Sequence, residues 1–138
     1  MFFFKKILFI VAVSTLMLST HPVIAGGDVC MKLITNYKSP IGCWTDQRGI
    51  PTVIYVENDK LWSAEGENAE IESPLSVTRV DNEVRIKNEG PAYKLAITYF
   101  IINTEGDLEL RDTDGDLNKT YKKHTNINVN LLNSLLSH

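Results

Sequence analysis

Two runs of β-forming residues, separated by a two-residue turn, decide the fold: Thr52-Val53-Ile54-Tyr55-Val56-Glu57-Asn58-Asp59-Lys60-Leu61-Trp62-Ser63-Ala64. The runs on either side of Asn58-Asp59 are rich in β-branched and aromatic residues, which favour extended strands. Asn and Asp tolerate the positive φ angles that a type I′ turn requires. The stretch therefore predicts an antiparallel β-hairpin.

The same pattern continues along the rest of the chain. Asp81-Asn82 and Asp114-Gly115 each separate two further runs, and Glu89-Gly90-Pro91 and Thr104-Glu105-Gly106 interrupt the chain between them. The predicted strands cover residues 76–80, 83–87, 93–102, 107–113 and 117–123, with a weak strand around residues 69–72. Residues 95–102 are apolar on both faces and are predicted to form the most buried strand.

The short connections determine the predicted topology. Consecutive strands are expected to be antiparallel neighbours, because a parallel crossover needs about a dozen residues or more. A meander of this kind exposes two edges unless the sheet closes on itself. We therefore predict an all-β fold, an antiparallel meander of about eight strands closed into a small barrel.

Helical patterns flank the predicted barrel. Residues 28–37 carry apolar side chains at roughly helical spacing, Asp28 can cap the first turn, and Ser39-Pro40 ends the pattern, so a short helix or turn is expected. The tail from Val129 to Leu136 is rich in leucine. It predicts a short amphipathic helix that packs against the barrel.

The first 25 residues have the order of a secretory signal peptide. Lys5 and Lys6 precede an apolar run over residues 7–18, and Val23-Ile24-Ala25 has the character of a cleavage site. The run is shorter than the roughly 20 residues that cross a bilayer. We expect residues 1–25 to be removed and residues 26–138 to form one domain. The pattern favours a bacterial protein, periplasmic or secreted, without a stable membrane anchor.

The chain has two cysteines, Cys30 and Cys43. In an exported protein such a pair is most simply a disulfide, and its spacing lacks the C-x-x-C pattern of redox pairs. The formal net charge is −3, and charges of both signs are mixed along the chain. We therefore expect no nucleic-acid partner.

Few residues offer catalytic or metal chemistry. Beyond the predicted signal peptide the histidines are His124 and His138, without zinc-site spacing, and no nucleophile elbow or phosphate-binding loop occurs. The acidic run at residues 112–116 places its glycine wrongly for an EF-hand loop. Acid pairs such as Glu57 and Asp59 fall at a hairpin turn, where charge favours solubility. We expect a protein that is not an enzyme and has no metal or cofactor.

Gly42-Cys43-Trp44 enters the first predicted strand behind the N-terminal helix. This Gly-x-Trp, followed by a meander of hairpins over residues 41–124, resembles the lipocalins and the wider calycin group. The resemblance implies that Trp44 closes one end of an eight-stranded barrel, covered by a basic residue, for which Arg111 and Lys122 are candidates. The chain departs from that family in its shorter strands and its lack of a second family motif. Trp44 fits equally as an ordinary core aromatic.

What the resemblance implies for function is a pocket for a small apolar ligand, or a surface that grips another protein. We predict an exported binding protein that holds a small apolar or amphipathic ligand inside the barrel. The candidate ligand-binding residues are Trp44, Tyr55, Trp62, Arg79, Tyr99, Phe100 and Arg111. The aromatic residues would line the pocket and an arginine would orient the ligand head. For Trp62 a packing role is favoured over a binding role, because a small domain must bury much of its apolar area.

A second class of function also fits the sequence, a periplasmic inhibitor or immunity protein that binds a hydrolase or toxin. The acidic hairpin ends at residues 57–59, 65–70 and 112–116 would meet a basic protein partner, and opposite charges would speed association. A hydrolase that uses two carboxylates is a third hypothesis. The carrier requires a roomy interior, the inhibitor an exposed acidic face, and the hydrolase a carboxylate pair across a cleft.

Overall fold

The computed structural model describes residues 27–68, 71–89 and 98–137. Eight strands lie within these ranges: β1 (Pro40–Thr45), β2 (Pro51–Glu57), β3 (Lys60–Glu65), β4 (Ile71–Val80), β5 (Glu83–Asn88), β6 (Thr98–Ile102), β7 (Leu108–Asp112) and β8 (Leu117–Lys123). They pair in sequence order, each pair is antiparallel, and β8 returns to β1 to close a barrel. The prediction of an all-β meander closed into a barrel is confirmed.

Some of the sequence predictions fall outside the described residues. They are the signal peptide at residues 1–25, residues 69–70 of the weak strand, and the first part of the predicted strand at residues 93–102. Within the described ranges, no helix has the length and apolar character needed to cross a membrane.

The β2–β3 hairpin has the predicted turn. Asn58 and Asp59 adopt left-handed φ angles of 55° and 62°, and Glu57 lies opposite Lys60 at the end of the ladder. Such angles twist the turn in the same sense as the flanking strands. Asp81 in the β4–β5 turn also has a φ angle of 55°.

One strand is longer than predicted. β4 runs without interruption from Ile71 to Val80, so the described part of the predicted weak strand, residues 71–72, and the strand at residues 76–80 belong to one element. Pro74 lies within it, opposite Trp62. A proline has no N–H to donate and usually interrupts a strand. Its carbonyl nevertheless accepts a hydrogen bond from the backbone N–H of Glu89 at 2.8 Å, which keeps β4 attached to the chain at the end of β5.

Closure depends on the pairing of the first strand with the last. Trp44 and Thr45 of β1 pair with the end of β8. Beyond β8 the chain continues along β1, where the backbone N–H groups of His124 and Asn128 donate to carbonyls of β1 at 3.0 and 2.9 Å. The first strand is therefore covered along its length.

Alternate side chains of the strands face the interior and the outer surface. The interior cluster consists of Ile41, Trp44, Ile54, Leu61, Leu75, Ile86, Leu108 and, from the C-terminal helix, Leu132. A second cluster lies on the outside and consists of Cys30, Leu33, Cys43, Val53, Tyr55 and Ala64. It forms because helix α1 (residues 27–34) packs on the outer surface of β1, β2 and β3.

A disulfide attaches α1 to the barrel. Cys30 and Cys43 are bonded, with their Cα atoms 5.6 Å apart, and both are fully buried in the outer cluster. This confirms the predicted pairing. The helix ends at residue 34, before the predicted limit of residue 37, and a turn follows it.

The C-terminal segment covers one end of the barrel. Helix α2 (Val129–Ser134) and a 3-10 turn (Leu135–Ser137) follow β8, and the Asn128 side chain caps α2 by accepting a hydrogen bond from the Leu131 N–H at 3.1 Å. Leu132 enters the interior cluster. The β2–β3, β4–β5 and β6–β7 turns share this end, since the connections of a meander alternate between ends. We call it the plugged end, and the other the distal end.

Trp44 fills the barrel near the plugged end. Its side chain is fully buried, and its Nε1 donates a hydrogen bond to the Gly106 carbonyl in the β6–β7 turn at 2.8 Å. A Cβ atom at Gly42 would lie 2.5 Å from Ile127 Cδ1 and 3.1 Å from Trp44 Cη2. Glycine is therefore required at position 42 because the indole and Ile127 occupy the space of a side chain.

Loss of the disulfide should destabilise the protein. In the variant with both Cys30→Ala and Cys43→Ala, we expect the free energy of unfolding to fall by about 2–4 kcal/mol, because the cross-link restricts the unfolded chain. Urea unfolding without reductant measures the change. Met31→Ala is the control, since Met31 lies on the same helix and is 57% exposed, and it should cost less than about 0.5 kcal/mol. A double variant as stable as this control would contradict the account.

Gly42→Ala should destabilise the protein by about 1–3 kcal/mol, because the added methyl group overpacks the plugged end. The measurement is again urea unfolding. In an Ile127→Ala background the same substitution should cost less, since the nearest clashing atom is gone. An equal cost in both backgrounds would show that the contact with Ile127 is not the reason for the glycine.

Candidate functional site

A cavity of about 230 Å³ lies inside the barrel. Seven of the eight strands contribute to its described lining, which consists of Thr52, Ile54, Ser63, Glu65, Leu75, Asn88, Thr98, Phe100, Leu108, Leu110 and Tyr121. This interior space is the candidate functional site, because the other described hollows are more open to solvent.

The lining changes from apolar to polar along the barrel axis. Ile54 and Leu108 are fully buried in the interior cluster. Thr52, Glu65 and Thr98 lie at the ends of their strands that point to the distal end. An apolar pocket with a few polar groups is the usual form of a site for a small molecule. The arrangement suits a ligand with an apolar part directed inward and a polar part directed to the distal end.

Tyr121 is the lining residue that lies beside a lysine. The Nζ atom of Lys119 is 4.9 Å from the centre of the Tyr121 ring and 3.6 Å from a carboxylate oxygen of Asp46. Burial raises the pKa of Tyr121. Lys119 opposes this rise, and the negative charges of Glu65 and Asp46 add to it. The hydroxyl is therefore protonated at neutral pH and can donate a hydrogen bond to a ligand.

Asp46 holds the turn between β1 and β2. Its carboxylate accepts hydrogen bonds from the backbone N–H groups of Arg48 and Ile50 at 2.8 and 3.0 Å, and from the Arg48 guanidinium at 2.9 Å. Burial by itself would raise the pKa of Asp46, but these hydrogen bonds outweigh burial and hold the pKa below its usual value. The ionised carboxylate then attracts Lys119 and positions it beside Tyr121.

Among the candidate ligand-binding residues, Phe100 lines the cavity. Its ring packs edge to face on Tyr121, with ring centres 5.9 Å apart. Trp44 belongs to the same interior cluster but lies toward the plugged end, where it is part of the packing. The cavity therefore meets one of the predicted aromatic residues directly.

Tyr55 and Trp62 lie on the outer surface of the barrel. The Tyr55 ring packs on Tyr37 with ring centres 4.3 Å apart, and burial, together with the nearby Glu72 carboxylate, raises the pKa of Tyr55. Trp62 packs against the outer cluster and donates a hydrogen bond to the Glu57 carbonyl at 3.3 Å. Both residues support α1 and do not line the cavity.

Tyr99, Arg111 and Arg79 also lie away from the cavity. The Arg85 guanidinium stacks over the Tyr99 ring at 4.3 Å, and Arg111 forms an ion pair with Glu109 at 2.6 Å. Tyr99 precedes Phe100 on β6 and Arg111 follows Leu110 on β7. Because Phe100 and Leu110 face inward, Tyr99 and Arg111 face outward. Arg79 is exposed near the β4–β5 turn at the plugged end.

The two candidates for the basic residue over Trp44, Arg111 and Lys122, both pair with acids. Arg111 lies on the outer surface, and Lys122 forms an ion pair with Asp107 at 3.5 Å. Lys123 instead lies against Gly106, where its Cδ atom would be 2.8 Å from an added Cβ. Gly106 is the residue whose carbonyl accepts the Trp44 hydrogen bond, so the Lys123 side chain lies beside the turn that holds the indole.

The polar lining residues have no signal of their own in the sequence, because a polar side chain in a strand fits either face until the face that packs on the core is known. On β2, Thr52 and Ile54 face inward while Val53 and Tyr55 face α1. The apolar pattern of α1 is the feature of the sequence that indicates the faces, because the strands that α1 covers must have an apolar outer surface. That requirement assigns Tyr55 to the outside and its neighbours in sequence to the interior.

The acidic β7–β8 turn has the geometry of an ordinary turn. Carboxylate oxygens of Asp112, Asp114 and Asp116 lie within 4.8 Å of one another. Asp112 already accepts hydrogen bonds from the backbone N–H groups of Asp114 and Asp116, both at 3.0 Å. Gly115 has a φ angle of 86°, which the turn requires. The hydrogen bonds within the turn account for the cluster.

Comparison of this chain with models of protein families, with curated proteins and with solved structures found no match.

Replacing Asp46 should weaken the protein in a pH-dependent way. Because the folded-state pKa of Asp46 lies below the unfolded value of about 3.9, its charge contributes stability that is fully present above that value and is lost as the pH falls through the folded pKa. The stability difference between the wild type and Asp46→Asn should therefore be largest at neutral pH and shrink in acid. Urea unfolding from about pH 7 to about pH 3 measures it.

Gln47→Ala is the control for this experiment, since Gln47 is an exposed residue of the same turn. Its free energy of unfolding should stay within about 0.5 kcal/mol of the wild type. A difference for Asp46→Asn that stays constant or grows toward acidic pH would contradict the assignment.

Proposed function

We propose that this chain is an exported, non-enzymatic binding protein that holds a small amphipathic ligand in a lipocalin-like barrel. The observation that carries the proposal is the interior cavity of about 230 Å³, apolar near the plugged end and polar at the distal end. An eight-stranded barrel is just wide enough to be filled by side chains or to hold one small ligand. Here the interior side chains leave space.

The size of the cavity limits the ligand. Pockets for drug-sized ligands commonly measure about 300–1,000 Å³, and this cavity is smaller. Binding would come from burial of the apolar part of the ligand against Phe100, Leu108 and their neighbours. Thr52, Ser63 and the Tyr121 hydroxyl offer hydrogen bonds to the polar part. A molecule with a short apolar chain and one polar group fits these walls.

The lipocalin-like assignment has three supporting features. The barrel is a meander of eight antiparallel strands, a helix precedes β1, and Trp44 of the Gly-x-Trp is buried near the plugged end. The C-terminal helix adds a second closure at this end, through Leu132.

Two features support export. The disulfide between Cys30 and Cys43 suits an oxidising compartment. The sequence pattern of residues 1–25 is that of a secretory signal peptide. We propose the periplasm or the exterior of a bacterial cell as the location.

The absence of an acid pair in the described lining favours binding over hydrolysis. Glu65 is the one carboxylate among the described residues that line the cavity. Hydrolysis of a glycosidic bond ordinarily requires two carboxyl groups about 5–10 Å apart. The described part of the lining provides one carboxyl group, that of Glu65.

The inhibitor hypothesis retains one supporting observation. The acidic turns that follow β3 and β7 both lie at the distal end and carry exposed acids, including Glu67 and Asp114. The third acidic turn, at residues 57–59, lies at the plugged end, so the three turns do not form one contact face. A basic partner would bind at the distal end and cover the entrance of the cavity.

Filling the cavity should abolish ligand binding. Saturation-transfer NMR with 1-hexanol as the probe should detect binding to the wild type and at least about tenfold weaker binding to Thr52→Trp, because an indole at position 52 fills the cavity from its distal end and leaves no room for the ligand. Thr120→Trp is the matched control. Thr120 is exposed on the outer face of β8, so its variant should bind 1-hexanol as the wild type does.

The folded state of Thr52→Trp is checked by near-ultraviolet circular dichroism, and Ser63→Leu provides a smaller filling at the same cavity. Equal binding of 1-hexanol to the wild type and both filled variants, or no binding to the wild type, would contradict the proposed function.

A further inference from the structure

Glu65 is the one charged side chain among the described residues of the cavity lining. It is the last residue of β3 and lies opposite Thr52 of β2, so the two share the interior face at the distal end. The residue is exposed, and its carboxylate faces whatever enters the cavity from this end.

Two described cations near this end are engaged by a different carboxylate. Arg48 and Lys119 both pair with Asp46, at 2.9 and 3.6 Å, and Lys119 also lies over the Tyr121 ring. Glu65 takes part in none of the ion pairs formed by the described residues. Its negative charge is therefore available to a ligand.

The rest of the cavity determines how a charged ligand would be oriented. Further inside than Glu65, the lining consists of Ser63 and then of the apolar side chains of Leu75, Phe100 and Leu108. A ligand that satisfies both regions carries its charge at one end and its apolar part at the other. Opposite charge is favoured at the Glu65 end, since a carboxylate repels an anion and attracts a cation.

We infer that the ligand is a small amphipathic amine, bound as its ammonium ion with the charged nitrogen beside Glu65 and the apolar part against Phe100 and Leu108. The inference rests on the proposed function and adds the sign of the charge and the orientation of the ligand. An exposed carboxylate is partly screened by water, so the preference for a cation is moderate and decreases with salt.

Three probes of equal chain length separate charge from apolar burial. Titration calorimetry of the disulfide-bonded protein with hexylammonium, 1-hexanol and hexanoate should give the tightest binding for hexylammonium and the weakest for hexanoate. The preference of hexylammonium over 1-hexanol should be about three- to tenfold at low salt. It should shrink as salt is added, while the affinity for 1-hexanol does not fall.

Glu65→Gln should reduce the preference for hexylammonium over 1-hexanol to about one, because the amide keeps the size of the side chain and removes its charge. Glu67→Gln is the matched control, because Glu67 is an exposed acid in the next turn and lines a groove beside α1. It should leave all three affinities as in the wild type.

The possible failures are distinguishable. If 1-hexanol binds but hexylammonium binds no tighter, or if Glu65→Gln keeps the preference, the inference of a cationic ligand is overturned and the proposed function stands. An equal loss in Glu67→Gln would overturn it as well, since a general acidic field would then be the cause. If none of the three probes binds, the proposed function fails together with the inference.

Discussion

The pairing of β1 with β8 turns the meander into a closed barrel. Closure gives every strand two neighbours and divides the side chains into an interior and an outer set. Trp44 and Thr45 stand at this seam, and the Trp44 indole reaches across the interior to the β6–β7 turn. The seam thus sets the position of the largest interior side chain, and Gly42 provides the space for it.

The two ends of the barrel differ because the segment after β8 packs on only one of them. After β8 the chain supplies Ile127 and Leu132 to the plugged end, where they complete the packing around Trp44. Helix α1 and its disulfide lie on the outer surface of the barrel. They therefore add stability without filling the interior. The remaining interior space lies toward the distal end. A chain of this size builds a modest core, and the external helix and cross-link compensate for a barrel that is not completely filled.

The sequence predicted the fold well because local signals agree with one another. Asn58-Asp59 specified a turn, and short connections specified antiparallel neighbours. The continuity of β4 was not predictable, since Pro74 has the appearance of a strand terminator. The candidate site was mostly missed. Tyr55 and Tyr99 are large aromatics on the outer face, whereas the cavity is lined by smaller or polar residues such as Ser63, whose placement depends on tertiary packing. The alternation of side chains along each strand separates the outer residues from the lining residues once α1 shows which face is the outer one.

We propose that the interior of the barrel holds a small molecule. Native mass spectrometry of the disulfide-bonded protein, purified from its own cells without organic solvent, detects such a molecule as added mass. We predict a mass above that of the polypeptide by one small molecule per chain, lost on collisional activation and absent from Thr52→Trp. The polypeptide mass alone, seen equally for the wild type and Thr52→Trp, would contradict the claim.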